Sequence, residues 1–260
     1  MKKNIKIIVA AHKNYQFPDD DGYLPLQVGR AISPNALSIE GDNSGDNISE
    51  LNKNFCELTG LYWLWKNINA DAYGLVHYRR YFKPLSDGLL LSNQHIATSD
   101  ELGNMLEKYD IILSSKRNYW IETIQQHYKN AHYERDLNVL EAVIAEQCPE
   151  YSLAFSKVMA GRRLSLFNMF VLRSDLFNSY CDWLFSVLFE VETRISYKEY
   201  GPYQGRVFGF LAERLLNVWV EKNISQEKIK YLPVVNLEGE NLFSKAVGLL
   251  KRKISGQKLA

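Results

Sequence analysis

Seven residues near the start, Ile5-Lys6-Ile7-Ile8-Val9-Ala10-Ala11, are apolar apart from one lysine, and the run stops at His12-Lys13. That is the pattern of a buried strand with a polar carboxyl end. The same pattern recurs at Ala72 to Val76, which runs into His77-Tyr78-Arg79-Arg80-Tyr81, and at Tyr109 to Leu113, which runs into Ser114-Ser115-Lys116-Arg117. A fourth strand is predicted from Leu166 to Leu172. Between these runs the apolar positions change period. Leu51, Phe55, Leu58, Tyr62 and Trp65 recur at three- and four-residue steps and predict one helix over 51–65, with Glu57 off its buried stripe and Asn47 or Ser49 as its cap. Further helices are predicted over 122–147, from Ser174 and Asp175 to about Thr193, and over 203–220. The Pro-, Asp- and Gly-rich stretches Phe17 to Pro25 and Gly41 to Asn47 read as loops. Strand and helix alternate without internal repeat. This predicts an α/β fold with a mostly parallel central sheet flanked by helices, and ligands held beyond the carboxyl ends of its strands.

Composition narrows the function classes. A chain of 260 residues without a low-complexity break is expected to form one domain, over 1–240, followed by a basic amphipathic helix or tail over 241–260. The 31 Lys and Arg nearly balance the 30 Asp and Glu, so bulk charge does not recruit nucleic acid, and an anionic ligand must meet a local cluster. The first apolar run is too short for a signal-peptide core or a membrane span, which points to a cytoplasmic protein. Phe243, Val247, Leu250 and Ile254, among Lys245, Lys251, Arg252, Lys253 and Lys258, suggest peripheral contact with the inner face of the membrane. Cys56, Cys148 and Cys181 lack metal spacing and read as packing residues.

Two adjacent guanidiniums at a buried strand's mouth, Arg79 and Arg80, are costly unless an anion or a carboxylate meets them, and a diphosphate suits them. The competing reading is a surface ion pair with Asp or Glu. Asp19-Asp20-Asp21 lies in a turn-rich loop and reads as a solvated acidic turn. Asp42 and Asp46 lack calcium-loop spacing, since position twelve is Lys53. No metal site is expected. His127 and His132, five apart on a helix, diverge, and with Glu122, Tyr128 and Asn130 they form a candidate pocket wall. Arg206, Glu213 and Asn217 share one face of the helix that follows Gly201-Pro202. Glu57, Glu122 and Glu213 are the carboxylates that could take a proton, with salt bridging as the bland alternative for each.

Several of these segments, in this order, resemble a family of bacterial capsular-polysaccharide and O-antigen galactofuranosyltransferases, formerly a domain of unknown function. They are Val9 to Lys13, Gly41 to Ser49, Asn54 to Trp63, Gly74 to Phe82, Tyr119 to His132, Asn168-Met169-Phe170 and Pro202 to Phe210. The likeness covers about Lys3 to Gly239. It implies a GT-A-like nucleotide-sugar transferase fold, a UDP-galactofuranose donor, an inverting transfer and a lipid-linked glycan acceptor. Where many GT-A enzymes carry a metal-binding Asp-x-Asp, this chain has His77-Tyr78-Arg79-Arg80. The expectation is therefore a metal-independent enzyme without cofactor. Its donor site is drawn from Ala11, His12, Lys13, His77, Tyr78, Arg79 and Arg80, and its acceptor wall from His127, His132, Asn168, Gln204 and Arg206. The alternatives are a transferase for another UDP-hexose and a non-catalytic sugar- or nucleotide-binding subunit of a polysaccharide assembly complex. An RNA-binding module is disfavoured.

Overall fold

The computed structural model describes residues 4–238, so the basic segment over 241–260 lies outside the described residues. The chain runs through β1 (Ile5–Ala11), β2 (Tyr23–Gln27), β3 (Glu40–Gly41), α1 (Asn52–Phe55), α2 (Leu58–Asn67), β4 (Ala72–His77) and β5 (Arg80–Phe82). A hairpin of β6 (Leu89–Leu91) and β7 (Gln94–Ile96) precedes α3 (Ser99–Met105), β8 (Ile111–Ser114) and β9 (Arg117–Asn118). Then come α4 (Ile124–Ala131), α5 (Glu134–Gln147), α6 (Ser152–Ala160), β10 (Arg163–Leu164) and β11 (Phe170–Arg173). The last elements are α7 (Ser174–Arg194), α8 (Val207–Asn223), β12 (Ile229–Leu232) and β13 (Val234–Asn236).

The main sheet has the order β12-β8-β11-β4-β1-β2-β3, with β5 and β13 continuing off β4. β2 and β4 flank β1 in parallel, β3 follows β2 in parallel, and β12 runs parallel to β8. β11 is antiparallel to both β4 and β8, so β8 and β12 run in the same sense as β4. All the predicted strands are present, and the mostly parallel α/β sheet holds. Alternation along the central strands divides the core: Ile8, Ala10, Tyr73 and Leu75 face the layer of α2 and α4 to α8, while Ile7, Val9, Ala72 and Val76 face α3 and the small hairpin. Gly74 is needed where β4 crosses beneath its neighbours, since a Cβ there would lie 2.9 Å from the Phe170 carbonyl oxygen and 3.0 Å from Ile7.

Four boundaries differ from the sequence reading, each for a local reason. The helix predicted over 51–65 breaks at Cys56, whose φ of 54° ends α1 and lets α2 start afresh after Glu57. The helix predicted over 122–147 breaks at His132, which is extended. The strand predicted from Leu166 begins only at Phe170, because Phe167 and Asn168 are left-handed. The loop ending at Pro25 contains β2, with Pro25 itself within the strand.

The acidic turns are also more than solvated loops. Asp20 is half-buried and its carboxylate accepts from Gly22 N, Ser99 N and the Ser99 hydroxyl, tying the first loop to the start of α3. Asp42 is fully buried. It accepts from Gly29 N at 2.9 Å, Arg30 N at 3.0 Å, the Thr59 hydroxyl at 2.6 Å and the Ser49 hydroxyl. One carboxylate thus joins the turn after β2, the entry to α1 and the first turn of α2.

Removing the Asp42 carboxylate leaves four donors without their acceptor. Asp42→Ala is expected to cost about 3 kcal/mol or more, read as a lower midpoint in urea denaturation, whereas Thr59→Ala, which removes one donor, should cost about 1 kcal/mol.

Candidate active site

The carboxyl ends of β1, β4 and β8 and the amino end of the opposed β11 meet at one edge of the sheet, where a cleft of about 610 Å³ opens. In open α/β sheets this edge is where ligands collect. The wall at its centre is the turn Phe167-Asn168, with φ of 74° and 53°. Such backbone costs roughly 1–3 kcal/mol per residue, least for Asn, and persists only where neighbours hold it.

Three side chains do so. Glu213 Oε1 accepts from Phe167 N at 2.6 Å, and His77 Nε2 donates to the Phe167 carbonyl at 2.6 Å. Asn168 Nδ2 donates to Glu57 Oε1 at 2.7 Å and to the Gly209 carbonyl at 3.2 Å. Because a carbonyl only accepts, His77 carries its proton on Nε2 and offers Nδ1 as an acceptor. Asn168 Oδ1 is buried and meets no donor among the described residues.

The three candidate carboxylates now separate. Glu57 lines the cleft with Oε1 held by Asn168, and no donor among the described residues reaches Oε2. Glu213 also lines it, but both oxygens are engaged, Oε2 by Arg214 Nη1 at 3.0 Å. Burial pushes the Glu213 carboxyl up, with Arg214 and the Phe167 amide opposing. Glu122 stands behind the wall, accepting from Asn130 at 3.0 Å and facing His127 Nδ1 at 3.2 Å.

Most residues proposed for the donor and acceptor sites line this cleft: His12, His77, Tyr78, Arg79, Arg80, His127, His132, Asn168 and Arg206. Ala11, Lys13 and Gln204 do not. Ala11 is fully buried in β1. Gln204 is buried behind His132, 3.2 Å from its Nδ1, while His132 stacks on Phe210 with ring centroids 4.0 Å apart. The surface-pair reading of the arginines applies to Arg79, whose Nη1 lies 2.6 Å from Glu238 Oε2. Lys13 approaches the same carboxylate at 3.6 Å and Tyr15 donates to it at 2.7 Å. The Tyr15 and Arg79 hydrogen bonds hold the Glu238 carboxyl down at about 2. The Arg80 guanidinium lies 4.5 Å from the centroid of the Phe167 ring. Sequence reasoning missed Phe167 and Arg214 as cleft residues, and it gave Arg117 only as a strand-end cation.

Burial lowers His12, helped by Lys13, Arg79 and Arg206, and it lowers His77 against the pull of Glu57. His127 falls to about 4 through burial and Arg214, with the Glu122 hydrogen bond opposing. With Nδ1–H donated to Glu122, its Nε2 is an acceptor. Burial raises the Cys56 thiol to about 11, which removes it as a nucleophile near neutrality. Among the described residues no three His, Cys, Asp or Glu side chains gather as metal ligands.

The family described as Domain of unknown function (DUF4422) matches residues 6–224. A solved apo structure of WbbM, a bifunctional glycosyltransferase, aligns with a TM-score of 0.83 and 32% identity over 91% of this chain and 46% of that one. This chain therefore spans about half the length of that protein. No curated protein matches it.

A proton-resonance titration tests the electrostatics of the cleft. The His127 ring signals should stay at their neutral positions from about pH 8 to about pH 5 and move only near 4. The folded value lies below the ordinary 6.5, so between about 6.5 and about 4 the unfolded chain binds the extra proton. The His127 contribution to stability is then present above 6.5 and is lost as pH falls toward 4.

Proposed function

The chain belongs to this DUF4422 family, and we propose that its cleft is the active site of a glycosyltransferase of bacterial surface-polysaccharide assembly. The observation that carries this reading is the pairing, in one cleft beyond the strand ends, of guanidiniums with a carboxylate that has one oxygen held and the other open. The description of WbbM as a bifunctional glycosyltransferase, over a shared fold at 32% identity, supports the reaction class. The finer reading follows the family resemblance: galactofuranose passes from UDP-galactofuranose to a lipid-linked capsule or O-antigen glycan.

In this reading the acceptor hydroxyl attacks the anomeric carbon, Glu57 Oε2 takes its proton, and the bond from that carbon to the diphosphate oxygen breaks with inversion. The departing UDP carries the electron pair as negative charge. Arg80 and Arg79 receive that charge in place of a divalent metal, through charge-assisted hydrogen bonds. Arg79 must then share or exchange Glu238 for the diphosphate. Asn168 aims Glu57 through its amide, and its buried Oδ1 is left to accept from a sugar hydroxyl. The neutral Nε2 of His127 supplies a second acceptor on the same wall.

A transfer assay with UDP-galactofuranose and a synthetic galactoside acceptor tests this reading. Product should form in EDTA. Glu57→Gln should lower kcat by roughly a hundredfold to ten-thousandfold while UDP binding persists, and Arg80→Ala should weaken UDP binding. Product only with another UDP-hexose would overturn the donor. UDP binding without transfer or donor hydrolysis from any UDP-hexose would favour a binding subunit.

A further inference from the structure

The two-stranded ladder of β9 and β10 forms a tab that separates the cleft from a second cavity. Arg117 and Tyr119 face the cleft, whereas Lys116, Arg162 and Arg163 line the second cavity, of about 290 Å³. At the tip of the tab Trp120 and Ile121 stand 74% and 65% exposed, among the most exposed large apolar side chains of the described residues. Their exposure is built in. Trp120 has a φ of 55°, its N–H donates to Asn118 Oδ1 at 2.9 Å, and Arg162 Nη1 donates to its carbonyl at 2.8 Å. The Tyr119 amide in turn donates to the Arg162 carbonyl at 2.9 Å.

The second cavity is cationic. Lys157 is paired with Glu221, but no carboxylate among the described residues pairs with Lys116, Arg162 or Arg163. The Tyr231 hydroxyl, on the same wall, is buried and has no partner among the described residues. Three cations and an unused hydroxyl suit a phosphate group. Arg162 belongs to both features, lining the cavity while holding the Trp120 carbonyl, so an anion in the cavity and an apolar phase at the tip would be met together.

We propose that the tab is a docking surface for an anionic lipid bilayer: Trp120 and Ile121 enter the interfacial layer, and Lys116, Arg162 and Arg163 take a lipid phosphate. An indole beside an aliphatic side chain with basic residues behind them is the composition of an interfacial anchor. A glycan platform fits less well, because the tip offers a branched alkyl group in place of carboxylates or amides for sugar hydroxyls, and Asn118 Oδ1 is already taken. The inference stands without the reading of the cleft, and it places the bilayer beside the cleft's Tyr119 wall.

The test is co-sedimentation of the full chain with vesicles of phosphatidylglycerol in phosphatidylcholine, against phosphatidylcholine alone and against soluble inorganic phosphate. The wild type should pellet with the anionic vesicles. The exposed pairs Trp120→Ser with Ile121→Ser, and Lys116→Ala with Arg163→Ala, should each weaken that partition roughly tenfold. Brominated acyl chains should quench a fluorescence component that Trp120→Phe removes. A parallel variant with Lys251, Arg252 and Lys253 changed to Ala isolates the C-terminal basic residues. If the tab variants pellet like wild type, whether or not this variant still binds, the assignment is overturned. It is also overturned if inorganic phosphate alone competes as well as anionic lipid, or if the tab variants lose only a soluble glycan.

Discussion

The left-handed pair Phe167-Asn168 is the constraint around which the cleft is assembled. Two non-glycine residues in that region would relax if nothing opposed them, and the opposition comes from three elements far apart in the chain. Glu213 of α8 takes the Phe167 amide, His77 of β4 takes its carbonyl, and Glu57 before α2 takes the Asn168 amide. Each holder is oriented by the contact it makes. The turn therefore fixes a carboxylate, an imidazole tautomer and a buried amide oxygen at one place, and it reverses the chain so that β11 enters the sheet antiparallel. A single strained turn links fold and site.

Charge in the cleft follows the same economy. Arg79, Arg80, Arg117, Arg206 and Arg214 stand against Glu57 and Glu213, and His12, His77 and His127 are driven toward neutrality by burial and by those cations. The cleft thus presents permanent guanidinium charge beside neutral imidazoles. Arg214 is almost fully buried, but it is held by Glu213 and by the Phe210 carbonyl, so its charge is structural. Arg206 is exposed, and its Nε approaches Cys56 Sγ at 3.4 Å.

The sheet was legible because each central strand is a short apolar run that ends in charge, and alternation assigned its faces. The strand-end signal also found the cleft: His12, His77 and Arg80 lie there because the parallel strands end there. Ranking the carboxylates needed the fold: Glu57 and Glu213 each have one oxygen held by a residue more than 40 positions away, and they are separated by Arg214, adjacent to Glu213 in sequence, whose guanidinium is turned onto the second oxygen. The break at Cys56 and the turn at Phe167 were equally hidden, because neither residue favours positive φ and tertiary contacts impose it. The burial of Asp42 was hidden for a related reason. Its neighbours Asn43, Ser44 and Gly45 signal a solvated turn, and only the return of Thr59 and Ser49 buries it.

On the proposed reading, the Arg79–Glu238 pair sets the terms on which the donor diphosphate enters. A carboxyl held down at about 2 stays charged across the working pH range, so mild acidification leaves the pair with Arg79 in place, whereas a competing anion can displace it. Glu238 is about one-third exposed, so its attraction is screened and the exchange is cheap. On that reading a diphosphate would bring more charge than one carboxylate and would also reach Arg80, whose guanidinium lies over Phe167. Strain at the turn and charge at the strand end thus converge on Phe167, whose backbone holds His77 and Glu213 while its ring supports the arginine.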